Sequence, residues 1–258
     1  MMGKFKKIGI TIEARTAASR LPGKTLKPLL GKPMLARMIE RLRMVKLADV
    51  IVLATTDAPQ DQPLVDLAKE LGIGYFQGSQ EDVLDRVLKA AQKYDIDLIV
   101  ETCGDCPVVD PPIIDTQIQA FLDHDVDFVG CHLVKTYPYG LDAKLFTTKT
   151  LKEVSNLTQE KADRENVSLY IYEHPEKYKL FNIEAKGRER RADLRLVVDY
   201  QEDFDLIEQI YQELYAKNPS FSYSDILDLF ERRPELAAIN KASVNILVAG
   251  RDSHVKKV

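Results

Sequence analysis

Residues 8–12 read Ile-Gly-Ile-Thr-Ile, and residues 50–54 read Val-Ile-Val-Leu-Ala. Between them, residues 33–43 place Met34, Leu35, Met38, Ile39 and Leu42 at helical spacing. Two short apolar runs around one amphipathic helix form a βαβ unit, which predicts parallel strands. The alternation then repeats. A helix is expected over 62–71, stopped by Gly72, followed by a strand over 73–76. The helix over 81–94 carries Val83, Leu84, Val87, Leu88 and Ala91 on one stripe. A strand over 97–101, a helix over 112–122 and a strand over 126–130 follow. The expected fold is α/β: a three-layer, mostly parallel, Rossmann-like sheet. Ligands in such sheets bind beyond the carboxyl ends of the strands. The loops at 13–32, 55–60, 77–80 and 102–112 are therefore where a site belongs.

Beyond residue 131 the pattern changes. Residues 132–146 read as extended and turn-rich, and helices are expected over 148–157 and 161–173. Strands are expected over 178–184 and 194–198, then closing helices over 201–216 and 223–230. The organisation expected is one domain over 1–249, with 131–195 as a smaller extended lobe and 250–258 as a polar tail.

Composition narrows the function classes. The chain has 258 residues, 45% hydrophobic and 29% charged, as globular proteins do. Lys plus Arg total 36 and Asp plus Glu 40, a formal charge of −4. That balance argues against a nucleic-acid partner, which calls for a basic face. Three cysteines do not make a disulfide scaffold, and a reducing cytoplasm suits them. No run approaches the ~20 apolar residues of a membrane span.

The loop after the first strand opens Glu13-Ala-Arg-Thr-Ala-Ala-Ser-Arg-Leu-Pro-Gly-Lys24. It carries Arg15, Arg20, Lys24 and Lys27 with no acid after Glu13. Cations and backbone amides at the carboxyl end of a buried strand suit a polyanion such as a triphosphate; a solvated basic loop is the plainer alternative. Neither GxxxxGK[ST] nor GxGxxG follows the strand, which removes support from P-loop kinases and dinucleotide dehydrogenases.

Several strings stand in a recognisable order: residues 20–24 (RLPGK), 31–33 (GKP), 54–57 (ATTD), 78–86 (GSQEDVLDR), 104–107 (GDCP), 139–142 (YGLD), Arg164-Glu165, and 197–199 (VVD) with Asp203. Together they resemble the sugar-activating cytidylyltransferases, a group including acylneuraminate and KDO cytidylyltransferases and SpsF-like spore-coat polysaccharide proteins. Residues 223–228 (YSDILD), 234–236 (PEL) and Ile239-Asn240 are similar to the SpsF-like branch. The resemblance implies a nucleotide-diphospho-sugar transferase type of sheet, transfer of CMP from CTP to a sugar or sugar phosphate, release of pyrophosphate, and a homodimer.

It also implies roles. Arg15, Lys24 and Asp105 would be catalytic, with Ala14, Arg15, Arg20, Lys24, Thr55, Asp57, Ser79, Asp82 and Arg86 around the nucleotide. Tyr139, Asp142, Lys144, Arg164 and Glu165 would meet the acceptor. Nucleotidyl transfer needs a divalent cation, and Mg²⁺ takes one or two carboxylates while keeping waters. Asp105 and Asp199, each just past an expected strand, match the metal-binding aspartates of the resembled group. From the residues alone, Asp105 also fits a turn before Pro107, and Asp199 the start of the helix near 201. Ser79 reads as an N-cap with Asp82 three residues on, compatible with a nucleotide role. Thr55 to Asp57 fit either a base or ribose contact or a plain turn.

Other candidates point elsewhere. Asp95-Ile-Asp97 and Asp125-Val-Asp127 precede strands at the end away from the site and read as strand-entry turns. Asp110 reads as a helix cap before Pro111. Cys103 and Cys106 read as plain thiols, because the four histidines do not cluster to complete a zinc site. The arginines at 188, 190, 191 and 195 suit a solvated loop or a second phosphate contact. The SpsF-like pattern Gly-Leu-Asp-x-Glu ends here in Lys144, and Arg-Glu-His in Asn166. A cation at 144 points to a more negative acceptor, or to lost activity. The rival functions are a metal-dependent glycosyltransferase, a guanylyltransferase, and a non-catalytic nucleotide-binding subunit.

Overall fold

The computed structural model describes residues 5–141 and 143–241. Asp142 and the expected tail at 250–258 lie outside the described residues. The chain runs β1 (Ile8–Glu13), β2 (Pro28–Leu29), β3 (Lys32–Pro33), α1 (Met34–Leu42), β4 (Val50–Thr56), α2 (Gln62–Glu70), β5 (Gly74–Gly78), α3 (Val83–Lys93) and β6 (Leu98–Cys103). It continues through α4 (Pro111–Asp123), β7 (Phe128–Gly130), β8 (Lys144–Thr147), α5 (Thr148–Leu157), α6 (Lys161–Glu165), α7 (Leu169–Glu173), β9 (Leu180–Asn182), α8 (Gln201–Leu214) and α9 (Tyr223–Arg232).

One seven-stranded sheet has the order β5-β4-β1-β6-β8-β7-β9. Strand β1 is parallel to β4 and β6, and Glu13 lies opposite both Ala54 and Cys103. The carboxyl ends of the three central strands therefore coincide, as the βαβ reading requires. Burial follows the two-residue alternation. Ile8, Ile10, Ile12, Leu98 and Val100 pack with α1, α2 and α4. Val52, Ala54 and Ile99 pack on the opposite side with α3, α5 and α7. A third core joins α8 and α9 to Leu194, Leu196 and Val198. The three-layer α/β expectation holds.

The differences fall after residue 131. The segment 144–147, read only as extended, is β8, inserted antiparallel between β6 and β7. The helix expected over 161–173 is two, because Val167 turns into the core at the break and is fully buried. The strand expected over 194–198 does not form: it makes one bridge, between Tyr139 and Arg195. Its amides go to scattered carbonyls, Leu196 N–H to Tyr139 and Val198 N–H to Asp105, each at 2.8 Å. Apolar alternation there reflects burial rather than a ladder. Among the described residues, no helix is long and apolar enough to cross a membrane.

Candidate active site

Lys24 sits in a short 3-10 turn, Lys24–Leu26, entered through Gly23 at φ +71°. Glycine reaches that left-handed conformation without strain, which turns the lysine inward. Its Nζ donates to Asp105 Oδ2 at 2.8 Å, to Asp199 Oδ1 at 3.1 Å and to the Val198 carbonyl at 2.6 Å. One ammonium thus joins the loop after β1, the loop after β6 and the segment before α8. Arg20 Nη2 adds a bond to Asp199 Oδ1 at 2.6 Å.

Asp199 is supported from behind. Arg195 Nη2 donates to its Oδ2 at 2.7 Å, and Arg195 Nε donates to Asp203 Oδ1 at 3.0 Å. Asp203 Oδ2 accepts the backbone amides of Asp199 and Tyr200, and Asn240 Nδ2 donates to Asp203 Oδ1. The first turn of α8 is thus held by Asp203, not by Asp199. Burial alone would raise the Asp199 carboxyl, but Lys24, Arg195 and Arg20 bring it below the usual carboxylate range. Burial likewise works against charge on Lys24, yet Asp105 and Asp199 hold the ammonium above its ordinary value.

A glycine makes this convergence possible. Gly140 has φ +106°, and a Cβ there would stand 2.8 Å from the Leu196 carbonyl carbon and the Val197 nitrogen. The backbone of residues 139–141 therefore lies directly against the strip that delivers Asp199.

A second group lies beside the first. Arg86, almost fully buried on α3, donates to the Ser79 carbonyl at 2.5 Å, and its Nε has no partner in the described structure. Burial lowers its pKa, with Glu13 opposing and Arg15 adding to the fall. Arg15, half-buried, belongs to this group rather than to the Lys24 ion pairs. The helix cap is a correction: Asp82 caps α3, accepting Asp85 N–H at 2.9 Å, while Ser79 Oγ accepts the amides of Glu81 and Asp82. Arg164 pairs with Asp82 and donates to Ser155, so it ties α6 to the start of α3. Glu165 is exposed at the end of α6.

Ala14 is buried at the end of β1. Thr55 is buried with its hydroxyl unpartnered, and Asp57 is exposed, its N–H bonded to the Gly78 carbonyl. Sequence reasoning passed over Asp61, which accepts Thr16 N–H and Oγ1 on one oxygen and the Thr56 hydroxyl on the other. It pins the cationic loop to the end of β4. Tyr139 is 40% exposed.

The plainer readings also find their places. Asp97 accepts the amides of Lys6 and Lys7, and Asp127 that of Lys179, at the far ends of their strands. Asp110 caps α4 through Ile113 N–H. The three thiols are free of disulfides, and no three His, Cys, Asp or Glu side chains among the described residues could share a metal. Arg188, Arg190 and Arg191 pair with Asp228, Glu184 and Asp193 at the surface. Only Arg195 of that run reaches the site.

Lys144 lies directly opposite Glu101 across β6 and β8, and its Nζ donates to Glu101 Oε1 at 3.1 Å. The cation that departs from the SpsF-like pattern is thus answered by a carboxylate of its own chain. Burial opposes charge on Lys144, but Glu101 raises its pKa well above the ordinary value.

The arrangement matches known proteins over nearly its whole length. The cytidylyltransferase family profile matches residues 9–224. The chain is 33% identical over 236 residues to the spore coat polysaccharide biosynthesis protein SpsF of Bacillus subtilis, covering 90% of this chain and 97% of the relative. It is 35% identical to an uncharacterized protein of Methanocaldococcus jannaschii, covering 92% and 95% of the two. A solved cytidylyltransferase from Leptospira borgpetersenii superposes with a TM-score of 0.84 at 31% identity, covering 90% of this chain and 96% of that one. With its cations and aspartates converging beyond β1 and β6, the chain belongs to the cytidylyltransferase family.

Proposed function

We propose that the chain transfers CMP from CTP to a sugar or sugar phosphate, releasing pyrophosphate, in the building of a surface polysaccharide. Family membership and the SpsF relative support this reading. The observation that carries it is Lys24 within 3.1 Å of both Asp105 and Asp199. A triphosphate brings several negative charges, and Lys24 and Arg20, with Arg15 from the neighbouring group, would meet them. Released from part of their present pairing, Lys24 and Arg20 would neutralise the pyrophosphate as it departs. The acceptor oxygen bonds to the α-phosphorus as the bond from that phosphorus to the β-phosphate oxygen breaks; pyrophosphate leaves, and where the acceptor is a hydroxyl its proton passes to solvent. Thr55, Asp57, Ser79, Asp82 and Arg86, at the ends of β4 and β5 and the start of α3, would hold the nucleoside. Tyr139, Arg164 and Glu165 would flank the acceptor.

Asp105 and Asp199 would hold Mg²⁺. Two carboxylates already gathered around one cation suit an ion that keeps most of its waters. Such an ion neutralises phosphate charge in the transition state. A homodimer through the region of exposed Val134 and Tyr139 fits the same reading, and light scattering of the purified protein tests it.

Pyrophosphate release from free CTP separates this function from its rivals. A glycosyltransferase releases none, and a non-catalytic subunit binds CTP without turnover. With a panel of sugar and sugar-phosphate acceptors, the proposal expects acceptor-dependent pyrophosphate from CTP exceeding that from GTP. Release from GTP alone would move the chain to guanylyl transfer.

A further inference from the structure

The loop that carries Arg20 and Lys24 is closed on itself at one residue. The Thr16 carbonyl accepts the amide of Ala18 at 2.8 Å and that of Gly23 at 3.0 Å. Gly23 is the left-handed turn that sends Lys24 inward. Ala17, Ser19, Arg20 and Pro22 are exposed, and Leu21 packs partly against the core of α8 and α9. With so little apolar burial, hydrogen bonds set the shape of the segment.

One carboxylate holds Thr16 from the other side. Thr16 donates its N–H to Asp61 Oδ1 at 2.7 Å and its hydroxyl to the same oxygen at 2.6 Å. Asp61 Oδ2 accepts the hydroxyl of Thr56, the last residue of β4. Asp61 is 1% exposed, and a buried carboxylate is costly unless donors meet it. The ordinary use of an aspartate at this point is to cap a helix. Asp61 does stand at the cap position of α2, but its side chain accepts none of that helix's amides. It faces the cationic loop instead. A bonded path therefore runs from the end of β4 through Thr56, Asp61 and Thr16 to Gly23, the residue before Lys24.

We infer that Asp61 is a positioning residue for nucleotide binding: through Thr16 and Gly23 it holds Lys24 where the triphosphate is met. The inference rests on the cytidylyltransferase reading of that site. A lysine on a loose loop would have to be ordered as the ligand arrives, and that ordering lowers affinity. Asp61 completes the ordering when the chain folds. Its own oxygens are committed to Thr16 and Thr56, so it acts through Lys24 rather than on the nucleotide.

Calorimetric titration of CTP with Mg²⁺ into the full chain tests it. Asp61→Ala removes both links and is expected to weaken binding about tenfold or more. Asp61→Asn keeps an acceptor for Thr16, and the Thr56 hydroxyl can turn to accept from its amide, so affinity should stay within about threefold of wild type. The Asn variant also removes the charge that Asp61 exerts on Arg86. A loss as large as in Asp61→Ala would therefore assign the effect to charge and overturn the inference. In a Lys24→Met chain, Asp61→Ala should weaken binding by less than about threefold further, because the residue it positions is gone. The full loss in that background, or unchanged affinity in Asp61→Ala alone, overturns the inference. Should Asp61→Ala fail to melt cooperatively, Thr16 supplies the test. Thr16→Val should weaken binding about threefold or more, and Thr16→Ser should restore it. Equal affinity in Thr16→Val and wild type overturns the inference. A wild-type chain that binds no CTP overturns the reading beneath it, so the two failures appear in different titrations.

Discussion

Asp105 and Asp199 share one ammonium in different surroundings. Asp105 keeps 22% of its side chain exposed, whereas Asp199 keeps 2% and meets three cations. Replacing each by asparagine should therefore separate function from folding. Asp105→Asn should cost less than about 1 kcal/mol of stability, because its pairing is partly solvated. Its pyrophosphate release should nevertheless fall by roughly a hundredfold or more. Asp199→Asn should cost about 3 kcal/mol, because Arg195 and Lys24 lose a buried counter-charge. Denaturant unfolding beside a turnover assay checks both. The pH dependence has a definite sign. The Asp199 carboxyl lies below its ordinary value despite burial, so its stabilisation is present above about pH 4 and lost as pH falls through the depressed value. Melting curves between pH 7 and pH 3 should show that acid loss, blunted in Asp199→Asn. At this scale Lys24, Asp105 and Asp199 were legible as candidates, since the aspartates follow apolar runs, Lys24 lies in the cationic loop after the first strand, and each stands in a string shared with the resembled group. Glu101, the partner of Lys144, was not, because a charged residue inside a strand reveals its partner only once the neighbouring strand is known.

The segment 194–198 shows what local pattern conveys and what it conceals. Its apolar residues announced burial, and it is buried. Whether it joined a ladder depended on a distant contact, the close approach of Gly140 to Leu196 and Val197. Gly140→Ala should cost about 2 kcal/mol or more, as overpacking against backbone does, and should displace Asp199. Gly187 is the control. It also has positive φ, at +54°, but a Cβ there meets nothing within 4 Å. Gly187→Ala should lose only the conformational preference, about 1 kcal/mol, and keep turnover. A larger activity loss in Gly187→Ala than in Gly140→Ala would contradict this. Strand β8 was hidden for a related reason. Four residues pairing antiparallel in a largely parallel sheet carry too little periodicity to stand out from an extended loop.

Across the whole molecule, the repeated strand-helix alternation of the first 130 residues was enough to single out the loops in which the candidate residues converge. It set the sheet class, and the sheet class set the end at which ligands bind. The site itself is a long-range construction. Lys24 reaches partners 81 and 175 residues away, and Asp199 depends on a support built from Arg195, Asp203 and Asn240. Because these partners meet only in the folded chain, a nucleotide site built from them would be a property of the fold, and CTP should raise its melting temperature by mass action. The most direct measurement is a calorimetric titration of CTP with Mg²⁺ into the wild-type chain and into Lys24→Met. The account predicts saturable binding to the wild type, weakened at least about tenfold by the substitution. Equal affinity in the two proteins would show that the ammonium between Asp105 and Asp199 is no part of a triphosphate site.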